Sequence, residues 1–313
     1  LLPRPALAYP TAGITVTKSA PASVNQTWNS TAGTWNEVEI QYDLILLNPS
    51  AYTISVGSLI TDATPANTTL KSGNPASGWF YGSSSGNPLF QLSVITNTIS
   101  IPVGSFYVTV TLPVRDGTVI TNSLYCFSGT VSGSPTSFCE TTPVTTVVRA
   151  PDFSLVETAP TPVCAGQRLT YTLYMSNPGG VDVTQPFTVV AVITAPLTIF
   201  TDSLSADATS SGQLITWTIN TPLAANGGTT ISRTFAVSVP ATLANGTYLT
   251  NTYTVTSPEF LPNRSQWTSQ GVVVHKPTAA FTSSAPVCLG NPVYFSVSYT
   301  HLRAHETRHE LVC

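Results

Sequence analysis

The residues best suited to chemistry crowd into one short run near the end of the chain, THLRAHETRHELVC, which holds three of the four histidines. His301, His305 and His309 recur at i, i+4 and i+8, so on a helix they would share a face. Two histidines so spaced make a zinc pair when a third ligand and a supporting fold exist. Nucleophilic hydrolysis needs a base beside its nucleophile, and His275, the remaining histidine, stands beside Lys276-Pro277 in what reads as a joint. Glu37 and Glu39 lie two apart on one strand face, but acid–base work by two carboxylates needs pKa values pushed apart. A polar edge strand does not supply that. Calcium takes several oxygen ligands; Asp152 and Glu157 fall near a joint, and Asp62, Asp182 and Asp202 fall in expected loops without a dense D-x-D-x-D run. These residues point to no enzyme and no cofactor, and to no metal site outside the histidine run.

The elements that would position such groups follow from composition. Charged residues make up 8% of the 313, and the net charge is −3. That leaves no electrostatic footprint for nucleic acid or an anionic membrane surface. No uninterrupted apolar run approaches the ~20 residues of a membrane-spanning helix. Polarity comes from Thr and Ser, punctuated by 25 Pro and 20 Gly. Thr and Val favour strands while Pro, Gly, Asn and Ser break them. Along the chain the period is two: Phe106, Val108, Val110 and Leu112 alternate with Tyr107, Thr109 and Thr111, and Tyr171 and Leu173 show the same spacing. Such alternation means one buried and one solvated face, as in antiparallel sheets.

Self-comparison shows an internal repeat. QYDLILLNPSA from Gln41 aligns with TYTLYMSNPGG from Thr170, and ITNSLYCFS around Asn122 matches LTNTYTVTS around Asn251 at the same offset. ITVTKSAP from Ile14 corresponds to FSLVETAP from Phe153, and the joints VVRAP and VVHKP correspond as well. A third copy opens with SAPVCLGNPVYFSVSYT. It should continue to a turn near 301–302, where the histidine run appears instead. That run resembles translated sequencing-adapter read-through and is expected to be a non-native tail. A helix carrying the three histidines would have to sprout from a half-made β-domain.

The expected organisation is therefore a signal-peptide remnant or linker over 1–11, a β-sandwich over 12–150 and a second over 151–276. The start of a third follows over 277–300, and the tail over 301–313. Several short strands per unit, with turn signals between them, indicate two-sheet sandwiches. Asn48 and Asn177, with Asn122 and Asn251, are expected to be the turn residues that define the repeat.

The run APTPVCAGQRLTYTLYMSNPGG, followed by LITWTINTPLAANGGTTISRTFAVSVP and NGTYLTNTYTVTS, resembles a bacterial and archaeal surface repeat known as domain of unknown function eleven. The matching positions in the second copy are Ala165-Gly166-Gln167, Tyr171, Asn177, Gly179, Trp217, Thr250-Asn251 and Val255. The first copy keeps Tyr42, Asn48 and Thr121-Asn122 but departs between Val24 and Val38, where an insertion replaces the Ala-Gly-Gln turn. The resemblance implies tandem immunoglobulin-like sandwiches in exported surface proteins, with no catalytic residues. Surface sandwiches of this general type also make an intramolecular Lys–Asn amide conceivable, with Lys18, Asn122 and, between them, Glu39 as candidates. The second copy has Glu157 where Lys18 stands, so the repeat as a whole would not use that chemistry, and Lys18 reads as an exposed strand residue.

Cys126 and Cys139 flank a Gly/Ser/Pro loop and are expected to form a disulfide stapling a hairpin, worth on the order of 3 kcal/mol in loop entropy. Such bridges persist in oxidising compartments. Cys164 and Cys288 occupy matching positions and read as buried thiols; Cys313 belongs to the tail. Sequons at Asn25, Asn29, Asn67, Asn245 and Asn263 are compatible with a surface location. The function expected from these features is a non-catalytic stalk segment of an exported cell-surface repeat protein. Its partners would be other surface proteins or glycans, with no nucleic acid. The alternative is an adhesion or carbohydrate-binding module in which Trp28, Trp35, Trp79 and Tyr81, with Phe80, stack on sugars. Exposure of three or more of these on one surface would favour it.

Overall fold

The computed structural model describes residues 13–261, 266–269, 271–276, 279–284 and 292–299. The histidine run, Cys288 and Cys313 lie outside the described residues. The chain divides into two compact units, Leu1–Asp152 with Gly179–Val181, and Phe153–Pro178 with Asp182–Cys313. Both are all-β. Among the described residues the helical content is two 3-10 turns, Thr201–Ser203 and Ala225–Gly227.

Strands are numbered in chain order. In the first unit one sheet runs β1 (Thr15–Ser19), β5 (Glu39–Leu47), β10 (Ser100–Val110), β7 (Thr68–Pro75). A second runs β11 (Thr118–Asn122), β14 (Val144–Arg149), β2 (Ser23–Asn25). A third runs β13 (Ser134–Glu140), β12 (Tyr125–Val131), β6 (Leu59–Asp62), β9 (Asn87–Leu92), β8 (Trp79–Ser84). The insertion between Val24 and Val38 forms a small hairpin, β3 (Trp28–Asn29) with β4 (Thr34–Trp35).

The second unit repeats this order strand for strand. Its first sheet is β15 (Ser154–Thr158), β17 (Arg168–Ser176), β22 (Thr230–Ser238), β19 (Thr198–Phe200). The next is β23 (Tyr248–Leu249), β26 (Val272–His275), β16 (Val163–Cys164). The last is β25 (Gln266–Thr268), β24 (Thr252–Thr256), β18 (Phe187–Val192), β21 (Leu214–Ile219), β20 (Ala208–Ser211). A hairpin of β27 (Ala279–Ser283) and β28 (Phe295–Tyr299) follows.

Pairing is antiparallel except at two equivalent places, β2 with β14 and β16 with β26. Strand alternation fixes which side chains turn inward. β5 and β17 share one burial rhythm, with Ile40, Tyr42, Leu44 and Leu46 inward in the first and Leu169, Tyr171, Leu173 and Met175 in the second. Tyr42 stacks on Phe106 with centroids 5.0 Å apart, and Tyr171 on Phe235 at 5.0 Å. Each unit closes its own apolar core. In β10 the register breaks between Pro102 and Gly104; Gly104 has φ +132°, and a Cβ there would fall 2.5 Å from the Asn74 carbonyl oxygen. A glycine is required at that bulge.

Asn48 and Asn177 follow the equivalent strands β5 and β17, and both are fully buried. The Asn48 Nδ2 donates to the carbonyls of Tyr52 (2.8 Å) and Thr98 (3.2 Å), and its Oδ1 accepts from the Tyr52 N–H at 3.0 Å. The Asn177 Nδ2 donates to the Leu223 carbonyl at 3.3 Å. These side chains satisfy loop backbone that would otherwise be stranded inside the sandwich. Asn48→Ala should therefore cost the first unit about 2–3 kcal/mol, since it leaves buried backbone groups unpaired. The transition of the second unit, with its separate core, should stay where it is in urea titrations that resolve the two steps.

Candidate functional site

Three strands from three sheets of the first unit bring together Lys18, Asp62 and Asn122. Lys18 is on β1, two residues after the buried Val16; Asp62 ends β6, two after the buried Ile60; Asn122 ends β11, two after the buried Ile120. Period two thus aims all three inward. The Lys18 Nζ donates to both Asp62 oxygens, at 3.0 and 3.2 Å, and neither side chain has any solvent exposure. The ammonium also sits 4.1 Å from the Tyr125 ring centroid and 5.8 Å from that of Tyr42. Asn122 is buried close enough to Asp62 to pull the pKa of its carboxyl downward, yet neither its Nδ2 nor its Oδ1 completes a hydrogen bond.

The electrostatics follow from desolvation, which disfavours both charged forms. Burial pushes Lys18 below the ordinary lysine range, while Asp62 pulls it back up. Burial pushes Asp62 above the ordinary carboxylate range, opposed by Lys18, Asn122 and the Ala63 N–H. Burial and the nearby Asp62 charge raise the Tyr42 hydroxyl to about 12. Both shifts lessen the advantage of the ion pair over a neutral amine beside a carboxylic acid.

These positions correct several expectations. Lys18 is not an exposed strand residue: it shares the inward face of β1 with Val16. Glu39 is not its partner. It is exposed on β5 and, with Glu37 at 2.8 Å, pairs with Lys71. Asp62 ends a strand and is not in a loop, and Asn122 is a strand residue and not a turn. The signal for Asp62 was present in the alternation of LITD, where an acid falls in phase with the inward isoleucine.

The second unit answers the same positions differently. Lys18 faces Leu44 across the β1–β5 ladder, and Glu157 faces Leu173 across β15–β17. Tyr125 faces Asp62, and Tyr253 faces Ala191. The set Lys–Asp–Asn thus becomes Glu–Ala–Asn. The Asn251 Nδ2 donates to the Glu157 carboxylate at 3.0 Å, and the Tyr253 hydroxyl donates to it as well. Burial raises Glu157 to about 7, against the hydrogen bonds from Asn251 and Ser269.

Of the candidate stacking aromatics, with Phe80, only Phe80 is exposed. Trp79 is corrected to a core residue, 5% exposed, and Tyr81 packs against that core with its ring 5.3 Å from Phe90. Trp28 and Trp35 meet edge-to-face across the β3–β4 hairpin, both half-buried. Cys126 and Cys139 stand opposite each other on β12 and β13 and form a disulfide. Cys164 is disulfide-bonded and does not keep a free thiol. Among the described residues no three His, Cys, Asp or Glu side chains gather as a metal site. Asp182 instead accepts the Ala225 N–H at 2.7 Å.

No known family's sequence model matches the chain, and no curated protein matches it. Among solved structures it is similar to one described as BspA_C_WT, at 10% identity and a TM-score of 0.38 over 82% of this chain and 99% of that one. It is similar to BcpA, the major pilin subunit of Bacillus cereus, at 10% identity and 0.31 over 84% and 68%. It is also similar to the T6 backbone pilin of serotype M6 Streptococcus pyogenes, at 11% and 0.31 over 77% and 65%. Likeness at this level carries no argument about what the chain does.

The Glu157 environment gives a pH dependence with a definite sign. A native value near 7 against an unfolded value near 4.5 means the folded unit holds the proton more tightly between those limits. Stability of the second unit should fall as pH rises from about 4.5 to about 7 and level off above, by at most about 3 kcal/mol. Glu157→Gln should abolish that slope in urea titrations at pH 5 and pH 8.

Proposed function

We propose that this chain is a non-catalytic structural segment of an exported cell-surface repeat protein, whose tandem sandwiches bear tension between their ends. The observation that carries the reading is the pair of parallel pairings. In the first unit, β2 near the entry pairs with the exit strand β14, Ser23 facing Val147 and Asn25 facing Arg149. In the second, β16 pairs with β26, Val163 facing Val274 and Cys164 facing His275. When a parallel pair is pulled from the start of one strand and the end of the other, its hydrogen bonds lie across the pull. They share the load in shear, whereas an antiparallel hairpin opened from one end unzips bond by bond. The same device built twice into otherwise ordinary sandwiches is what a chain under tension requires.

The resemblance of the repeat to domain of unknown function eleven supports the surface assignment, as do the hairpin disulfide and the low charge. Of the five candidate stacking aromatics only Phe80 is exposed, short of the three on one surface that sugar binding would need. No helix of the described residues is long and apolar enough to cross a membrane.

Single-molecule stretching of the whole chain from its two ends tests the reading. Each unit should release in one abrupt step. Val147→Pro, which deletes the N–H donated to the Ala22 carbonyl at 3.0 Å, should lower the release force of the first unit several-fold and leave the second unchanged. Release of both wild-type units at the low force of a peeled hairpin would sink the idea.

A further inference from the structure

We propose that Lys18 and Asn122 become joined by a self-formed amide bond, with Asp62 as the catalytic residue that carries the protons. This goes beyond the tension-bearing reading and does not depend on it.

The parts are an amine, a carboxamide and an acid sealed in one apolar pocket of the first unit. Lys18 Nζ lies 3.0 and 3.2 Å from the two Asp62 oxygens. Asn122 is 1% exposed and approaches the same carboxyl, with both polar atoms of its carboxamide unpartnered. A buried carboxamide that makes no hydrogen bond is costly to keep, and here it stands beside a nucleophile and a proton donor. The surroundings, Tyr42 and Tyr125 over the ammonium and no solvent exposure of the pair, exclude the water that would hydrate the charges or compete as nucleophile.

The step balances without any outside reagent. The Lys18 ammonium gives a proton to Asp62, leaving a neutral amine and a carboxylic acid. The acid donates to the Asn122 Oδ1, which makes Cγ electrophilic, and the Lys18 lone pair attacks Cγ. Asp62 then takes a proton from the former lysine nitrogen and delivers one to Nδ2. The Cγ–Nδ2 bond breaks, Oδ1 returns its proton to Asp62, and the ammonia leaves with that proton as ammonium, so that a secondary amide joins Nζ to Cγ beside the restored Asp62 carboxylate. Nothing is oxidised or reduced, and Asp62 is regenerated. Burial shifts Lys18 and Asp62 in the directions this step needs.

The second unit is a built-in control. It keeps the asparagine, as Asn251, but has Glu157 in place of the amine and Ala191 in place of the acid. It has no nucleophile for the reaction.

The bond would tie β1 to β11, a strand paired with the exit strand β14. Tension entering at Lys18 would then cross directly to Asn122 and by-pass β2, so the Val147→Pro force comparison for the first unit is made in the Lys18→Arg background, where β2 carries load.

Intact-mass measurement of the purified full chain, reduced and denatured, decides the matter. The expected mass is one ammonia below that of the sequence. Trypsin should not cut after Lys18, and a branched peptide should link the Lys18 and Asn122 segments. Lys18→Arg keeps the cation beside Asp62 but supplies no comparable nucleophile, and Asp62→Asn keeps the shape without the acid. Both should have the full mass, with folding checked by tryptophan fluorescence. Folded wild-type protein of full mass, with linear Lys18 and Asn122 peptides, would overturn the proposal, and that reading stands even if the variants do not fold. Loss of ammonia that maps to Asn226-Gly227 or Asn245-Gly246, as ordinary cyclisation, would overturn it equally. Crosslinking that persists in Asp62→Asn would remove Asp62 from the chemistry.

Discussion

A charge cannot be left alone between packed sheets. The interior of each unit is apolar, and an isolated ion there costs several kcal/mol. Where the fold places an ionisable residue on an inward strand position, something must neutralise it, and the two units show two solutions at one address. The first sets Lys18 against Asp62, with tyrosine rings over the ammonium. The second sets Glu157 against the Asn251 amide and the Tyr253 hydroxyl and lets the carboxyl keep its proton up to about pH 7. Around that address the scaffolds agree: the stacked Tyr42–Phe106 and Tyr171–Phe235 pairs, and the loop-binding Asn48 and Asn177.

Seen this way, the repeat separates framework from option. Framework residues satisfy backbone or fill the core, and they recur. The residue opposite Leu44 or Leu173 is an option, lysine in one copy and glutamate in the other, and its partner changes with it from Asp62 to Ala191. A buried ion pair adds little net stability over a well-packed apolar alternative. A covalent tie between β1 and β11 would take the load off the β2–β14 pair and make the first unit inextensible between Lys18 and Asn122. The second would still yield under load.

Much of this was legible in the sequence. The strand period, the constant spacing of Asn48 to Asn177 and of Asn122 to Asn251, and the cysteines flanking a Gly/Ser/Pro loop each pointed to what the coordinates show. These are local signals, set by side-chain alternation and turn chemistry. Comparison with Glu157 in the second copy makes Lys18 read as an exposed strand residue, but strand phase decides otherwise: Val16 and Lys18 share a face, and the face of Val16 is the core. Glu39, the candidate carboxylate between Lys18 and Asn122 in the sequence, is exposed and pairs with Lys71. Trp79 likewise looked like a surface aromatic and is a core one.

The amino-acid order by itself determined the two-faced strands, the repeat and the absence of a net-charge signature, because each depends on residues close together or equally spaced along the chain. Only the tertiary structure decided that Lys18, Asp62 and Asn122 meet. They lie on strands of three different sheets, separated by long stretches of chain, and no periodicity reports which strand ends converge. That convergence is a property of sheet order and register, and it is what turns three unremarkable polar residues into a single buried site.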